Sequence, residues 1–331
     1  MTNFNEYKFG VEIEFTGATT QTVANEMQTI LQGTGIQVCR EGYNHVTRSH
    51  WKVTTDATVT ESRNYRDGSG YGGELVSPVL HGEAGLQELK QILDALNQVD
   101  NGAVRVDRRC GIHVHLSWDG MTVDHVKEVY KRYAQYEADI DAWMAPSRRG
   151  NNSRWCASIA NNNRHGLRDV EAYSGTLSRM ANLCGRYYKV NLQSLGRYGT
   201  VEFRQHGGST EYAKIGAWVK FLMGFVEASK TTRGANGPSL NYRPSSNKVY
   251  SAMREQFAMV GYNMKWARGH NWDVYDADGN HVSRKTIAEL DAMYIGKRLN
   301  PAFADWFNQI TETPIEADTL FAKVDAETQA Y

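Results

Sequence analysis

The sequence predicts an α+β fold in which helices cover one face of a sheet and leave the other face free to hold a site. Three observations carry this: six period-two segments, five period-3.6 segments between them, and charged side chains set opposite an apolar face in four of the strands. The strands are read at 8–15, 50–60, 73–79, 111–118, 187–192 and 199–206, each bounded by Gly, Asp, Ser or Pro. The helices are read near 20–31, 83–96, 122–143, 171–183 and 210–229, where apolar residues recur every three or four positions, as in Leu86, Leu89, Leu93 and Leu96.

Residues 231–247, rich in Gly, Ser, Pro and Asn, read as a linker after a first unit at 1–230. The remainder, 248–331, reads as a small, mostly helical extension packing on that unit. Its helices are expected near 248–260, 286–294 and 301–310, with a hairpin at 272–283 turning on Asp278, Gly279 and Asn280.

Bulk properties exclude several function classes. In 331 residues, Lys plus Arg and Asp plus Glu number 37 each, so no charge excess advertises nucleic acid, an anionic membrane or an acidic partner. Cys39, Cys110, Cys156 and Cys184 are widely spaced without a C-x-x-C pair, which argues against a disulfide framework or a zinc ribbon. No apolar run approaches the roughly 18 residues that span a bilayer, and the first nine residues carry Glu6 and Lys8 where a signal peptide would be apolar. A cytoplasmic protein with reduced thiols is expected.

The chemistry sits on four strands. In Phe9-Gly10-Val11-Glu12-Ile13-Glu14-Phe15, alternation puts two carboxylates side by side, about 6 to 7 Å apart along the strand, where they repel unless a cation lies between them. A solvated edge strand is the plainer reading of the same pattern. Gly73-Glu74-Leu75-Val76 brings one more carboxylate. Gly111-Ile112-His113-Val114-His115-Leu116 sets two imidazoles on one face, able to ligate a metal or contact phosphate. In Val201-Glu202-Phe203-Arg204-Gln205-His206, Glu202, Arg204 and His206 are expected on one face, a pattern that a simple ion pair also explains. Taken together they describe a hard-metal site with phosphate handling, in which oxygen ligands favour Mg²⁺ over zinc. No G-x-x-x-x-G-K-[ST] loop is present, so metals and side chains would have to hold a nucleotide.

The ordered set F-G-V-E-I-E-F, Trp51 to Asp56, G-G-E-L-V-S-P, C-G-I-H-V-H-L, Lys189 to Asn191 and T-V-E-F-R resembles the amidoligase family of the glutamine synthetase and glutamate-cysteine ligase superfamily, over residues 7 to about 228. The resemblance implies a curved antiparallel sheet with the site on its concave face, ATP bound with Mg²⁺ or Mn²⁺, and amide formation through an acyl phosphate. It implies metal ligands at Glu12, Glu14, Glu74 and Glu202, and a metal or phosphate contact at His113 or His115. It further implies a phosphate-contacting arginine at Arg204, an acid near the substrate amine at Asp56, and cofactor contacts at Lys189 and Asn191. Asp56 is followed by Ala57 where the family often has glycine, and a turn aspartate explains it equally. The insert 148–168, with Arg148, Arg149, Arg154, Arg164, Arg168 and Trp155, reads as a phosphate- or anion-binding loop or as a solvated one. That insert and 67–72 are the expected lids. The partners implied are a small-molecule or peptide carboxylate and an amine, with a macromolecular substrate also compatible. A guanidino-kinase-like phosphotransferase and a non-catalytic anion- or nucleic-acid-binding protein are the competing readings.

Overall fold

Strict alternation in the first strand explains how the fold begins: Tyr7, Phe9, Val11, Ile13 and Phe15 all bury on one face of β1 (Tyr7–Thr19). The computed structural model describes residues 4–59, 71–160, 166–231, 263–267, 271–276 and 278–286. The Thr19 hydroxyl accepts from the Thr22 amide and so caps α1 (Thr20–Ile30) directly off the strand. There follow β2 (Val38–Arg40), β3 (Trp51–Thr54), β4 (Tyr71–Val76), β5 (Leu80–His81), α2 (Gly82–Leu96), β6 (Gly111–Trp118) and α3 (Val123–Trp143). Two short helices, α4 (Leu167–Ala172) and α5 (Leu177–Met180), lead to β7 (Val190–Asn191), α6 (Ser194–Tyr198), β8 (Val201–Gly207) and α7 (Tyr212–Thr231).

The eight strands form one sheet in the order β2-β3-β4-β1-β6-β8-β7, with β5 paired to β1. Every pairing is antiparallel except β2 with β3. One face is the core. Val11, Ile13, Ile112, Val114 and Phe203 lie in the same apolar cluster as Leu86, Leu89 and Leu93 of α2, Tyr130 and Tyr133 of α3, and Leu222 and Phe225 of α7. Each such side chain stabilises the fold by about 1.5–3 kcal/mol on burial. The α+β class with helices on one face is therefore as the alternation predicts, and the mostly antiparallel pairing is as the resemblance implies.

Local departures have local causes. The strand expected over 50–60 ends at Thr54, because the Asp56 carboxylate accepts from both the amide and the hydroxyl of Thr58 at 2.6 Å and turns the chain. The helix expected over 171–183 is broken at 173–176, where the Tyr173 hydroxyl donates to the Thr176 carbonyl. The strand expected over 187–192 shrinks to β7, since the Lys189 amide pairs with Ala157 in the insert rather than with a sheet neighbour.

The described residues of 248–331 lie in and beside the expected hairpin. They form a three-stranded sheet, β9 (Asn263–Ala267), β10 (Asn271–Tyr275) and β11 (His281–Thr286), of which the sequence reading foresaw only the hairpin of β10 and β11. The linker beyond Thr231 and the three expected helices, apart from Thr286 at the end of β11, lie outside the described residues. No helix among the described residues is long and apolar enough to cross a membrane.

A correction concerns His206. Ile112 pairs with His206 but Val114 pairs with Phe203, so β8 carries one extra residue in this stretch. The bulge turns His206 to the helix side, where its ring lies 5.6 Å from that of Trp218 on α7. Burial, with help from the charges of Lys214 and Arg148, pushes the imidazole down to about 4. The unfolded chain then binds a proton that the folded chain refuses. The stabilisation is complete above the ordinary value of 6.5 and is lost as pH falls toward 4. Urea unfolding of the parent at pH 7 and pH 5 should differ by about 2 kcal/mol more than that of His206→Asn. An identical pH slope in the two proteins would show that His206 is solvated.

Candidate active site

Register alone assembles the polar face. Glu14 of β1 pairs with Glu74 of β4, Glu12 of β1 with His113 of β6, His115 of β6 with Glu202 of β8, and Glu202 with Asn191 of β7. Five adjacent strands thus present one continuous row of site residues. Two carboxylates directly opposite each other, as Glu14 and Glu74 are, destabilise a bare sheet. Close approach of the backbones serves this geometry at Gly73, where an added Cβ would meet the Thr54 carbonyl oxygen at 2.5 Å.

The row faces a cavity of about 680 Å³ lined by Glu12, Glu14, Asp56, Glu74, His113, His115, Asn191, Glu202 and Arg204 among others. Within it three triads, Glu12–His115–Glu202, Glu12–Glu74–His113 and Glu14–Asp56–Glu74, each offer donor atoms lying within 4.8 Å of one another.

Electrostatics separate these carboxylates. Burial, then the charges of Glu12, Glu14 and Asp56, holds the Glu74 carboxyl well above the usual range. Burial and Asp56 also raise Glu14, although His113, Arg148 and the Gly111 amide at 2.6 Å oppose the rise. Burial acts against ionisation of Glu12 too, but the hydrogen bond to His113 and the close approach of the His115 imidazole outweigh it and hold the group well below the usual range. Glu202 is likewise buried, yet Arg204 and His115 keep it low. Its carboxylate accepts from the Arg204 guanidinium and from the Asn191 amide.

The donor set fits divalent cations. The His115 Nδ1 atom is tied to the Thr200 hydroxyl at 2.9 Å, while its buried Nε2 has no hydrogen-bond partner and lies 3.3 Å from Glu12. An imidazole oriented through one nitrogen, with the other aimed at carboxylates, is how proteins present a metal ligand. A cation there would also relieve the repulsion that raises Glu14 and Glu74. Hard carboxylate oxygens in the majority suit Mg²⁺ or Mn²⁺.

Lys189 stands apart from the other expected contacts and is corrected. It is fully buried, does not line the cavity, and donates to Glu137 and Asp141 of α3. Alternation would put Lys189 on the face of Asn191, which reaches Glu202, but Lys189 lies just before β7 and its side chain turns to the carboxylates of α3. Lys189→Met should leave two buried carboxylates without their cation, lowering stability by about 3–5 kcal/mol in a thermal or urea melt. A stable variant with weakened nucleotide binding would instead return Lys189 to the site.

The insert is more anchored than its composition suggests. Arg148 is buried, with its guanidinium donating to the Cys110 and Arg109 carbonyls, and Arg149 donates to the Met144 carbonyl. Glu137 accepts from the Ile159 and Ala160 amides, and Asp141 from the Gly150 amide. Trp155 meets the site through its carbonyl, which accepts from Arg204 Nε at 3.3 Å. Arg154 lies over the Trp155 ring, and Arg168 is exposed and does not line the cavity. Arg164 and residues 67–70 of the other expected lid lie outside the described residues. Thr200 was not foreseen, since a lone threonine at a strand entrance carries no signal of its own.

A family model described as "putative amidoligase enzyme" matches residues 5–226, the span that holds every site residue named above. No curated protein matches the chain.

Proposed function

This chain belongs to the amidoligase family, and from that premise we propose that it is an ATP- and Mg²⁺-dependent carboxylate-amine ligase working through an acyl phosphate. Membership supports an enzyme that forms an amide bond. The finer reading rests on one observation: three interlocking carboxylate and imidazole triads, with an arginine beside them, on one wall of a single cavity.

A free carboxylate resists attack because its charge repels nucleophiles and oxide is a poor leaving group. Phosphorylation removes both obstacles. Glu12, Glu14, Asp56, Glu74, Glu202, His113 and His115 would hold the metal ions. Ions bound there would supply positive charge to offset that of the nucleotide phosphates and of the transferring phosphoryl group. Arg204, held in place by Glu202 and the Trp155 carbonyl, presents its guanidinium to the same charge without reorganising. Asp56 shares a triad with Glu14 and Glu74, which adds metal holding to the amine-orienting role expected of it. Water would have to be kept from competing with the amine while the acyl phosphate persists.

The test is ADP release from Mg·ATP with pooled acids, amines and peptides, followed by mass spectrometry. A product one water lighter than the sum of its two precursors supports the ligase. A phosphorylated small molecule without water loss would make the protein a phosphotransferase. Failure to bind ATP with either Mg²⁺ or Mn²⁺ would sink the nucleotide reading.

A further inference from the structure

The carboxylates already described share the cavity with Lys52, which stands on the same face of the sheet, and with His45, Arg186 and Arg197 beside the rings of Tyr43, Tyr187 and Tyr198. The chain reaches this arrangement from both edges of the sheet. The segment 43–47 follows β2 at one edge, and Tyr198 ends α6 just before β8 near the other. The Tyr198 hydroxyl donates to the His45 carbonyl at 3.1 Å, so the two edges meet across the cavity. The Tyr198 ring also stands edge-on to His115, 5.6 Å between centroids, which ties that contact to the metal-type ligands.

Lys52 anchors the crossing segment. It is buried, and its ammonium donates to the Asn44 carbonyl at 2.9 Å and the Val46 carbonyl at 3.4 Å. In the sheet register Glu12 pairs with Val76 and Val76 with Lys52, which puts Lys52 two strands, roughly 10 Å, from Glu12. Arg186 and Arg197 lie on the rings of Tyr187 and Tyr198, 5.2 and 5.9 Å from their centroids. None of the three cations forms an ion pair with a carboxylate among the described residues. Burial and then the charges of Arg197, Arg186 and Lys52 lower the His45 imidazole, so all three fields converge on this segment.

We propose that Arg186 and Arg197, backed by the charge of Lys52, form an anion-recognition subsite that holds a carboxylate or phosphate of a substrate remote from the reacting centre. Guanidinium groups stacked on aromatic rings are pre-oriented and weakly hydrated, which suits them to planar oxyanions. The subsite deepens the ligase reading and rests on it for its biological meaning. Its existence is testable without turnover.

The experiment is calorimetry on the full chain with Mg²⁺, comparing glutarate with butyrate and, separately, Mg·ATP, for the parent and for Arg186→Gln/Arg197→Gln. If the anion is a second acid group on the carboxylate substrate, glutarate binds the parent about tenfold or more tighter than butyrate, and the double variant loses that preference. If the anion is a nucleotide phosphate, Mg·ATP weakens by a similar factor and the two acids do not differ. Either result supports the subsite and identifies its source, and the affected affinity should fall as salt rises. Unchanged binding of all three ligands in a double variant with parental melting behaviour overturns it. An anion preference in a protein that never forms an amide would sink the ligase reading alone.

Discussion

Glu74→Gln is expected to abolish ATP-dependent amide formation, with turnover falling by at least about a hundredfold, while the fold is retained. Glu74 belongs to two of the three triads, so its loss removes an anionic donor from two ion positions at once. The amide is nearly isosteric, which separates charge from packing. Without metal the variant should be as stable as the parent or more so, because burial and the charges of Glu12, Glu14 and Asp56 all disfavour ionisation of Glu74 in the parent. The sign follows from proton linkage. The folded chain binds a proton that the unfolded chain, with its carboxyl near 4.5, releases earlier, so metal-free stability falls as pH rises through that value toward the raised one. Added Mg²⁺ should reverse the trend by competing with that proton, raising the melting temperature of the parent more at higher pH and that of the variant little. Turnover within a few-fold of the parent would remove Glu74 from the metal site. A melt that collapses without metal would show that its carboxylate is structural.

Arg204→Ala should lower turnover on the order of a hundredfold while changing Mg·ATP affinity far less. A donor aimed at charge that develops during phosphoryl transfer acts on the transition state, and uniform binding of nucleotide would not produce that split. Arg204 is suited to the part because Glu202 and the Trp155 carbonyl fix its guanidinium beforehand. Lys in its place carries the charge but not the planar fork, so Arg204→Lys should rescue only a small part of the rate. The outcome to watch for is an equal loss in turnover and affinity, which would make Arg204 a ground-state contact. The variant should still fold, since Glu202 keeps Asn191 and the nearby His115.

The strands carrying Glu12, Glu14, Glu74, His113, His115 and Glu202 were legible because one face of each had to be apolar, and alternation then sends every second residue to the other face. The helices α1, α2, α3 and α7 were legible for the corresponding reason at a period near 3.6. His206 defeated the same rule because a single extra residue in β8 changes the facing of whatever follows it, and no local composition announces a bulge. Lys189 defeated it differently. Its carboxylate partners, Glu137 and Asp141, lie on α3 about fifty residues earlier, so the sequence around Lys189 looks like a solvated strand. The arginines of the insert shared this difficulty, since backbone carbonyls of distant loops take up the donors of Arg148.

What the amino-acid sequence determined by itself was the α+β class, the polar face of each strand, and the ligand types gathered there, since these depend only on periodicity and side-chain chemistry. Tertiary structure alone decided the register that sets Glu14 against Glu74 and His115 against Glu202, the entry of Asp56 into a triad, and the crossing of segment 43–47 to Tyr198. Each of these joins residues far apart in the chain. Their contacts depend on how the whole sheet pairs and folds over, which no window of neighbouring residues encodes.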